Sequence, residues 1–356
     1  MLERFLLEIK KMTNDKLYEK IYDYDNLYSA WLEVEKGRKH KLDFQEYKAR
    51  YEDVILLEIQ NELIYHTYTP RKTREFLVRD PKLREISEPT FFDRIVHHAL
   101  MRVVQPYFNK YFHRASFACI KDRGPLKSCY FYQKQIRKAL GRWGNHFYVI
   151  HLDFKSFFAS IDRDNLKKRL ERIFNPNLYP SVLWLFKQII DNYKNGKDEK
   201  RGLPLGFLPS QQLANLILTP LDYFITDTLG CPLYVRYMDD ARILVHTREE
   251  AKNLLYQIDN FAYQNIGQSL SDKKTYITHY KGKDTWCGYV VCPHHFEPKK
   301  ATVKRALRRI KKKEREYKEN RVTKEHLMAS CVSFYAYMRH TNKAFTEKIE
   351  DELKTL

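Results

Sequence analysis

An aspartate set inside a run of apolar residues costs several kcal/mol unless a partner or a cation offsets it. The sequence has two such places: Asp153 in IHLDF, and Asp239-Asp240 between VRYM and ARILV. Hard divalent cations take oxygen ligands, commonly one or two carboxylates together with substrate phosphates. Two such ions about 4 Å apart can activate an attacking hydroxyl and stabilise a leaving oxygen. Three acidic side chains on neighbouring strands would supply that clamp. Asp-Asp alone also reads as a hairpin turn, but the matching apolar setting of Asp153 favours metal-assisted phosphoryl transfer.

The elements that must position these residues follow from periodicity. HFYVIHLDFKSFF (146–158) reads as an apolar strand, and LYVRYMDDARILVHT as two β-rich runs flanking Met238-Asp239-Asp240. RGLPLGFLPSQQLANLILTPLDYFI passes from a Gly/Pro loop into a helix near Ser210. Helices are expected over residues 1–66, over FFDRIVHHALMRVVQPYF, from Arg163, over Tyr179–Tyr193 and over Glu249–Ile266. Short strands are expected at EFLVR (75–79, ended by Asp80-Pro81), TYITHY and TWCGYVV. His97 and His98 are neighbours on a helix and face different ways, so they are poor joint metal ligands. The pattern is α+β: helices, a small sheet, then a helical C-terminal part.

Charge narrows the partners. With 64 Lys+Arg against 45 Asp+Glu the chain carries +19, which implies a polyanion, nucleic acid before membrane. Residues 296–321 alone hold twelve Lys/Arg against four Glu. Within them Val303, Leu307 and Ile310 form an apolar stripe, and Pro298 marks a helix start. Lys304, Arg305, Arg308, Arg309 and Lys312 are then the candidates for tracking phosphates. A hydrophobic share of 43% excludes disorder, and no apolar stretch approaches the roughly 18 residues of a membrane span. Six scattered cysteines do not form a disulfide framework, so a soluble cytoplasmic protein is expected. Cys287-x4-Cys292-x-His294-His295 departs from zinc-finger spacing, and its cysteines read as packing residues.

The motifs, taken in order, resemble the reverse transcriptases. Tyr237-Met238-Asp239-Asp240 is similar to their YxDD box, and LDFKSFF to their first palm aspartate motif. PKLREISEPTFFDRIVHHAL and FACIKDRG resemble fingers motifs, LSDKKT the lysine-bearing palm motif, and WCGYVV the primer-grip hairpin. The resemblance spans roughly residues 75–292. LGFLPSQ resembles the [Ile/Val/Leu]-Gly-xxx-Ser-Gln form of the diversity-generating retroelements. That family copies a template-repeat RNA into cDNA, with errors concentrated at adenines, beside an accessory variability determinant protein.

The resemblance implies a right-hand polymerase with an N-terminal helical extension (1–69), fingers and palm (70–295) and a basic helical thumb (296–356). At this length no maturase, endonuclease or RNase H domain is expected. It implies that Asp153 and Asp239 hold two Mg²⁺ ions, with Mn²⁺ as the alternative ion, Phe154 offering its carbonyl and Asp240 supporting the site. Lys274 matches the lysine that protonates the leaving pyrophosphate. Lys82 and Arg84 match positions that hold the incoming triphosphate, and Phe158 falls where a ring excludes a 2′-hydroxyl. Leu205, Gly206 and Gln211 would flank the nascent base pair, and Arg94 would contact nucleic acid. Template RNA, primer–cDNA duplex, dNTPs and the accessory protein are the implied partners. Two alternatives stay open: a retron-like or antiphage reverse transcriptase, and an inactive RNA-binding scaffold.

Overall fold

A computed structural model of the chain describes residues 15–37, 44–45, 48, 52–79, 83–193 and 200–342. The helix expected at 1–12 and the candidate Lys82 lie outside the described residues. In chain order the elements are α1 (Lys16–Tyr22), α2 (Tyr24–Lys36), α3 (Glu52–Ile64), β1 (Arg74–Arg79), β2 (Leu83–Glu88), α4 (Phe91–Tyr111) and α5 (Pro125–Trp143). There follow β3 (Tyr148–Leu152), α6 (Phe157–Ser160), α7 (Arg163–Ile173), α8 (Pro180–Asp191) and α9 (Leu208–Tyr223). The remainder is β4 (Tyr234–Tyr237), β5 (Asp240–Val245), α10 (Arg248–Phe261), β6 (Tyr276–His279), β7 (Asp284–Trp286), β8 (Tyr289–Val291), β9 (Phe296–Pro298), α11 (Lys300–Lys318) and α12 (Lys324–Met338).

These elements form two compact units, each assembled from separate stretches of chain. Unit one comprises Met1–Lys121, Phe154–Phe224 and Gln257–Ser271. Its centre is α4, whose Ile95, Val96, Ala99, Leu100 and Val104 are fully buried. The helix starts where it does because Thr90 caps it: Thr90 Oγ1 accepts from the Asp93 N–H (3.2 Å) and donates to the Asp93 carboxylate (2.6 Å). Helices α1, α2 and α9 pack on α4, and Trp31 of α2 meets Phe91 edge-on at 4.7 Å. Strands β1 and β2 pair antiparallel as a hairpin, with Val78 opposite Arg84.

Unit two comprises Asp122–Asp153, Ile225–Tyr256 and Asp272–Leu356. Its four-stranded antiparallel sheet runs β4-β5-β3-β6, and a second sheet runs β7-β8-β9. Strand β3 is central, with Val149, Ile150 and Leu152 buried, which explains its unbroken apolar sequence. Helix α5 packs on β4, β5 and β8. Helices α11 and α12 form a pair around Ile310, Phe334 and Met338, with Val303 and Leu307 against them.

Two local expectations change, and one strand carries no expectation. The charged LREISE segment pairs as β2, a strand that its sequence conceals because its two apolar residues, Leu83 and Ile86, stand three apart and show no period of two. Pro298 ends β9 instead of opening a helix, because Tyr289 of β8 pairs opposite it, and α11 starts at Lys300. The expected helix to Ile266 is α-helical only to Phe261, and Ala262–Ile266 is a π-turn closed by Gly267 in the left-handed region.

Candidate active site

In unit two the sheet register gathers the carboxylates. Leu152 of β3 pairs with Ala241 of β5, so Asp153, one residue on, comes level with Asp240. Tyr237 pairs with Asp240, leaving Met238-Asp239 as the turn between β4 and β5. Met238 sits at φ +54°, a left-handed conformation that only a strongly constrained turn imposes on a methionine. The constraint is visible: Arg236, fully buried, donates to the Met238 carbonyl at 3.0 Å. An arginine inside the strand VRYM is thus a positioning residue that sequence analysis passed over.

Asp153 is 7% exposed and has taken a cationic partner. Lys274 Nζ donates to both of its oxygens, at 2.7 Å to Oδ2. Thr275, also missed from sequence, donates its hydroxyl to the Asp153 carbonyl at 3.1 Å. Partial burial pushes the Asp239 carboxyl up to about 6, with the neighbouring charges of Asp240 and Asp153 adding to the shift and Lys274 opposing it. This cluster therefore demands positive charge, and its all-oxygen donor set suits a hard divalent ion.

Unit one holds a second group of the expected residues. The Leu203 N–H donates to the Phe158 carbonyl (2.9 Å) and the Gly202 N–H to the Ile161 carbonyl (2.8 Å). Buried Arg163 donates to the Gly202 carbonyl at 3.0 Å. The loop then runs against β2, where the Ser87 N–H donates to the Leu205 carbonyl at 2.8 Å. Gly206 follows at φ +123°, and a Cβ there would lie 2.4 Å from the Ser87 carbonyl oxygen. Only glycine fits this approach.

Beyond the loop a cavity of about 180 Å³ is lined by Pro89, Arg94, His97, Gly206, Phe207 and Gln211, among others. Three expected site residues, Arg94, Gly206 and Gln211, therefore line one cavity. Arg94 is held by Glu88 (3.2 Å) and the Pro89 carbonyl (3.3 Å). The neighbouring histidines diverge as expected. His98 pairs with Glu33 at 2.9 Å, whereas His97 is buried against Phe207 with neither ring nitrogen hydrogen-bonded.

Phe157 enters the core and Phe158 stays half-exposed, 5.5 Å from it edge-on, so Phe158 is not an ordinary core residue. The Phe154 ring is buried and its backbone bridges to Leu270. Arg84 is exposed on β2. On α11 of unit two, Lys304, Arg305, Arg308, Arg309 and Lys312 are all exposed, while Ile310 is buried.

Comparison with known proteins gives the same direction. Residues 72–318 match the family described as reverse transcriptase (RNA-dependent DNA polymerase). The group II intron-encoded protein LtrA of Lactococcus lactis subsp. cremoris is 22% identical over 335 residues, covering 75% of this chain and 53% of that protein. Protein YkfC of Escherichia coli K12 is 25% identical over 180 residues, covering 48% of this chain and 45% of that protein. The chain thus spans about half the length of the curated relatives it matches. Telomerase from Candida albicans, solved with a fragment of telomeric RNA, superposes with a TM-score of 0.50 at 14% identity over 65% of this chain and 46% of its own. Apo telomerase from Candida tropicalis, truncated of its C-terminal domain, gives the same score over 68% of this chain and 59% of its own. With its small antiparallel sheets among helices, the fold is that of a right-hand polymerase. No described helix is long and apolar enough to cross a membrane.

Proposed function

The chain belongs to the reverse transcriptase family, and from that premise we propose that it is an RNA-directed DNA polymerase extending a primer on an RNA template. The observation that carries the proposal is the register of β3 against β5, which sets buried Asp153 level with the Asp239-Asp240 turn. Asp153 and Asp239, with the Phe154 carbonyl, would hold two Mg²⁺ ions, and Asp240 would support them. When bound, such ions acidify the primer 3′-hydroxyl and neutralise charge on the transferring phosphoryl group. Lys274 would hold the proton destined for the leaving pyrophosphate. Lys82 and Arg84 would grip the incoming triphosphate, a task suited to an ammonium and a forked guanidinium. Phe158 would reject a 2′-hydroxyl by clash.

In this reading residues 70–295 serve as fingers and palm, 296–356 as thumb and 1–69 as a helical extension, with α11 tracking the template–primer duplex. We further propose the diversity-generating type, on the strength of Leu205-Gly206 and Ser210-Gln211. There the product is cDNA of a template-repeat RNA with errors at adenines, made beside a variability determinant protein that contacts the N-terminal region. A leucine at position 205 offers no side-chain hydrogen bond to the forming pair, so discrimination falls toward shape alone.

Sequenced products of primer extension test both levels. Mutations clustered opposite template adenines support the finer proposal, and faithful DNA rejects it while keeping the polymerase. Product that appears only after the accessory protein is added would make that protein an obligate partner.

A further inference from the structure

In unit two, β8 and β9 are joined by Cys292-Pro293-His294-His295, with Val291 paired to Phe296. At this turn the Cys292 Sγ, a ring nitrogen of His295 and a carboxylate oxygen of Glu297 all lie within 4.8 Å of one another. Two edges are tighter. Glu297 Oε1 is 3.7 Å from Cys292 Sγ and 3.7 Å from His295 Nε2. A tetrahedral ion with bonds of about 2.0–2.3 Å sets its donors about 3.3–3.5 Å apart. These two edges exceed that by a few tenths of an ångström, and the third, from Cys292 to His295, is no longer than 4.8 Å, a gap that a turn of the exposed His295 side chain closes.

We infer that Cys292, His295 and Glu297 form a zinc site, with a fourth position open to water. The mixed sulfur, imidazole and carboxylate donor set suits zinc and excludes calcium and magnesium. The turn is fixed by groups outside the donor set. The Cys292 N–H donates to the His295 carbonyl at 3.0 Å. Gln133 of α5, itself buried, donates to the carbonyls of Cys292 (2.8 Å) and His295 (3.3 Å). Outer hydrogen bonds of this kind hold ligand-bearing backbone in place. Lys283, the competing cation, reaches both Glu297 oxygens, Oε2 at 3.0 Å and Oε1 at the longer 3.5 Å, so its tighter contact is to the oxygen that faces away from the cysteine and histidine.

By spacing alone the cysteines of this stretch read as packing residues. Cys287 belongs to the tight β7–β8 turn at φ +43°, and Glu297, the missing third ligand, was hidden as a strand residue. Binding exchanges the thiol proton for the metal, which then rests on the thiolate. A closed turn here braces the root of the basic helix, since β9 leads directly into α11 and the Phe296 carbonyl accepts from the Asn342 N–H at 2.9 Å.

Titrating Co²⁺ into the metal-free chain tests the inference. The expected result is a thiolate charge-transfer band in the near ultraviolet that saturates at one equivalent and is displaced by Zn²⁺. The band should persist in Asp239→Asn, because that variant alters only the carboxylate cluster, and vanish in His295→Ala and in Cys292→Ser. His295 is exposed, so its substitution leaves the fold intact. Absence of the band in the unaltered protein, or its persistence in either turn variant, overturns the site.

Discussion

In the proposed function, catalysis rests on a few side chains that the fold holds at a cost. Asp153, Asp239 and Asp240 repel one another in a partly dry setting, and Lys274 already offsets Asp153. Phe158 stands apart from the core, so its role can be tested alone. Phe158→Ala should raise ribonucleotide incorporation relative to deoxyribonucleotide by about tenfold or more, read as the ratio of kcat/KM values. His97 gives a pH signature. Complete burial, with smaller contributions from His98 and Arg94, lowers its pKa to about 3, from an ordinary value near 6.5. The unfolded chain therefore binds the extra proton between those two values, and stability falls as pH drops below about 6.5. From pH 7 to pH 5 the loss should be on the order of 2 kcal/mol. His97→Leu should remove that contribution and leave the smaller slope due to buried His151, as measured by urea midpoints at the two pH values.

Two elements carry the positioning. The loop from Gly202 to Phe207 is tied to β2 through Ser87, and Gly206→Ala drives a Cβ into the Ser87 carbonyl. That substitution should cost about 1–3 kcal/mol or move the loop, seen as a lowered Tm together with a fall in extension rate. The α11–α12 pair rests on a small cluster, so Ile310→Ala should cost about 2–5 kcal/mol of local stability, read by hydrogen exchange in these helices. The apolar strands β3 and β5 and the stripe Val303, Leu307, Ile310 were legible in the sequence, because burial imposes one-sided patterns. Strands β2 and β9 were not legible, since edge strands of sheets only two or three strands wide carry charge and proline without penalty. Arg236, Thr275 and Gln133 escaped for another reason. They act by hydrogen bonds to backbone carbonyls, and no sequence period marks such a partner.

Across the whole molecule, order and charge speak most plainly. No single motif identified the family; their sequence along the chain did, and the match over residues 72–318 agrees with it. The assignments of Lys82, Arg84 and the N-terminal extension rest on that order alone. The surplus of nineteen positive charges should make nucleic-acid binding strongly salt-dependent. Replacing exposed Arg308 and Arg309 by Glu should weaken duplex binding at least tenfold and lower the slope of log K against log salt by about two, measured by fluorescence anisotropy. The most direct test of the polymerase assignment is primer extension on an RNA template with Mg²⁺ and dNTPs, comparing the unaltered chain with Asp239→Asn. Template-encoded DNA from the first, reduced about 1,000-fold or more in the second, is the expected result and corresponds to roughly 4 kcal/mol of lost transition-state stabilisation. Equal extension by both proteins would contradict the assignment of Asp239 to the reaction centre.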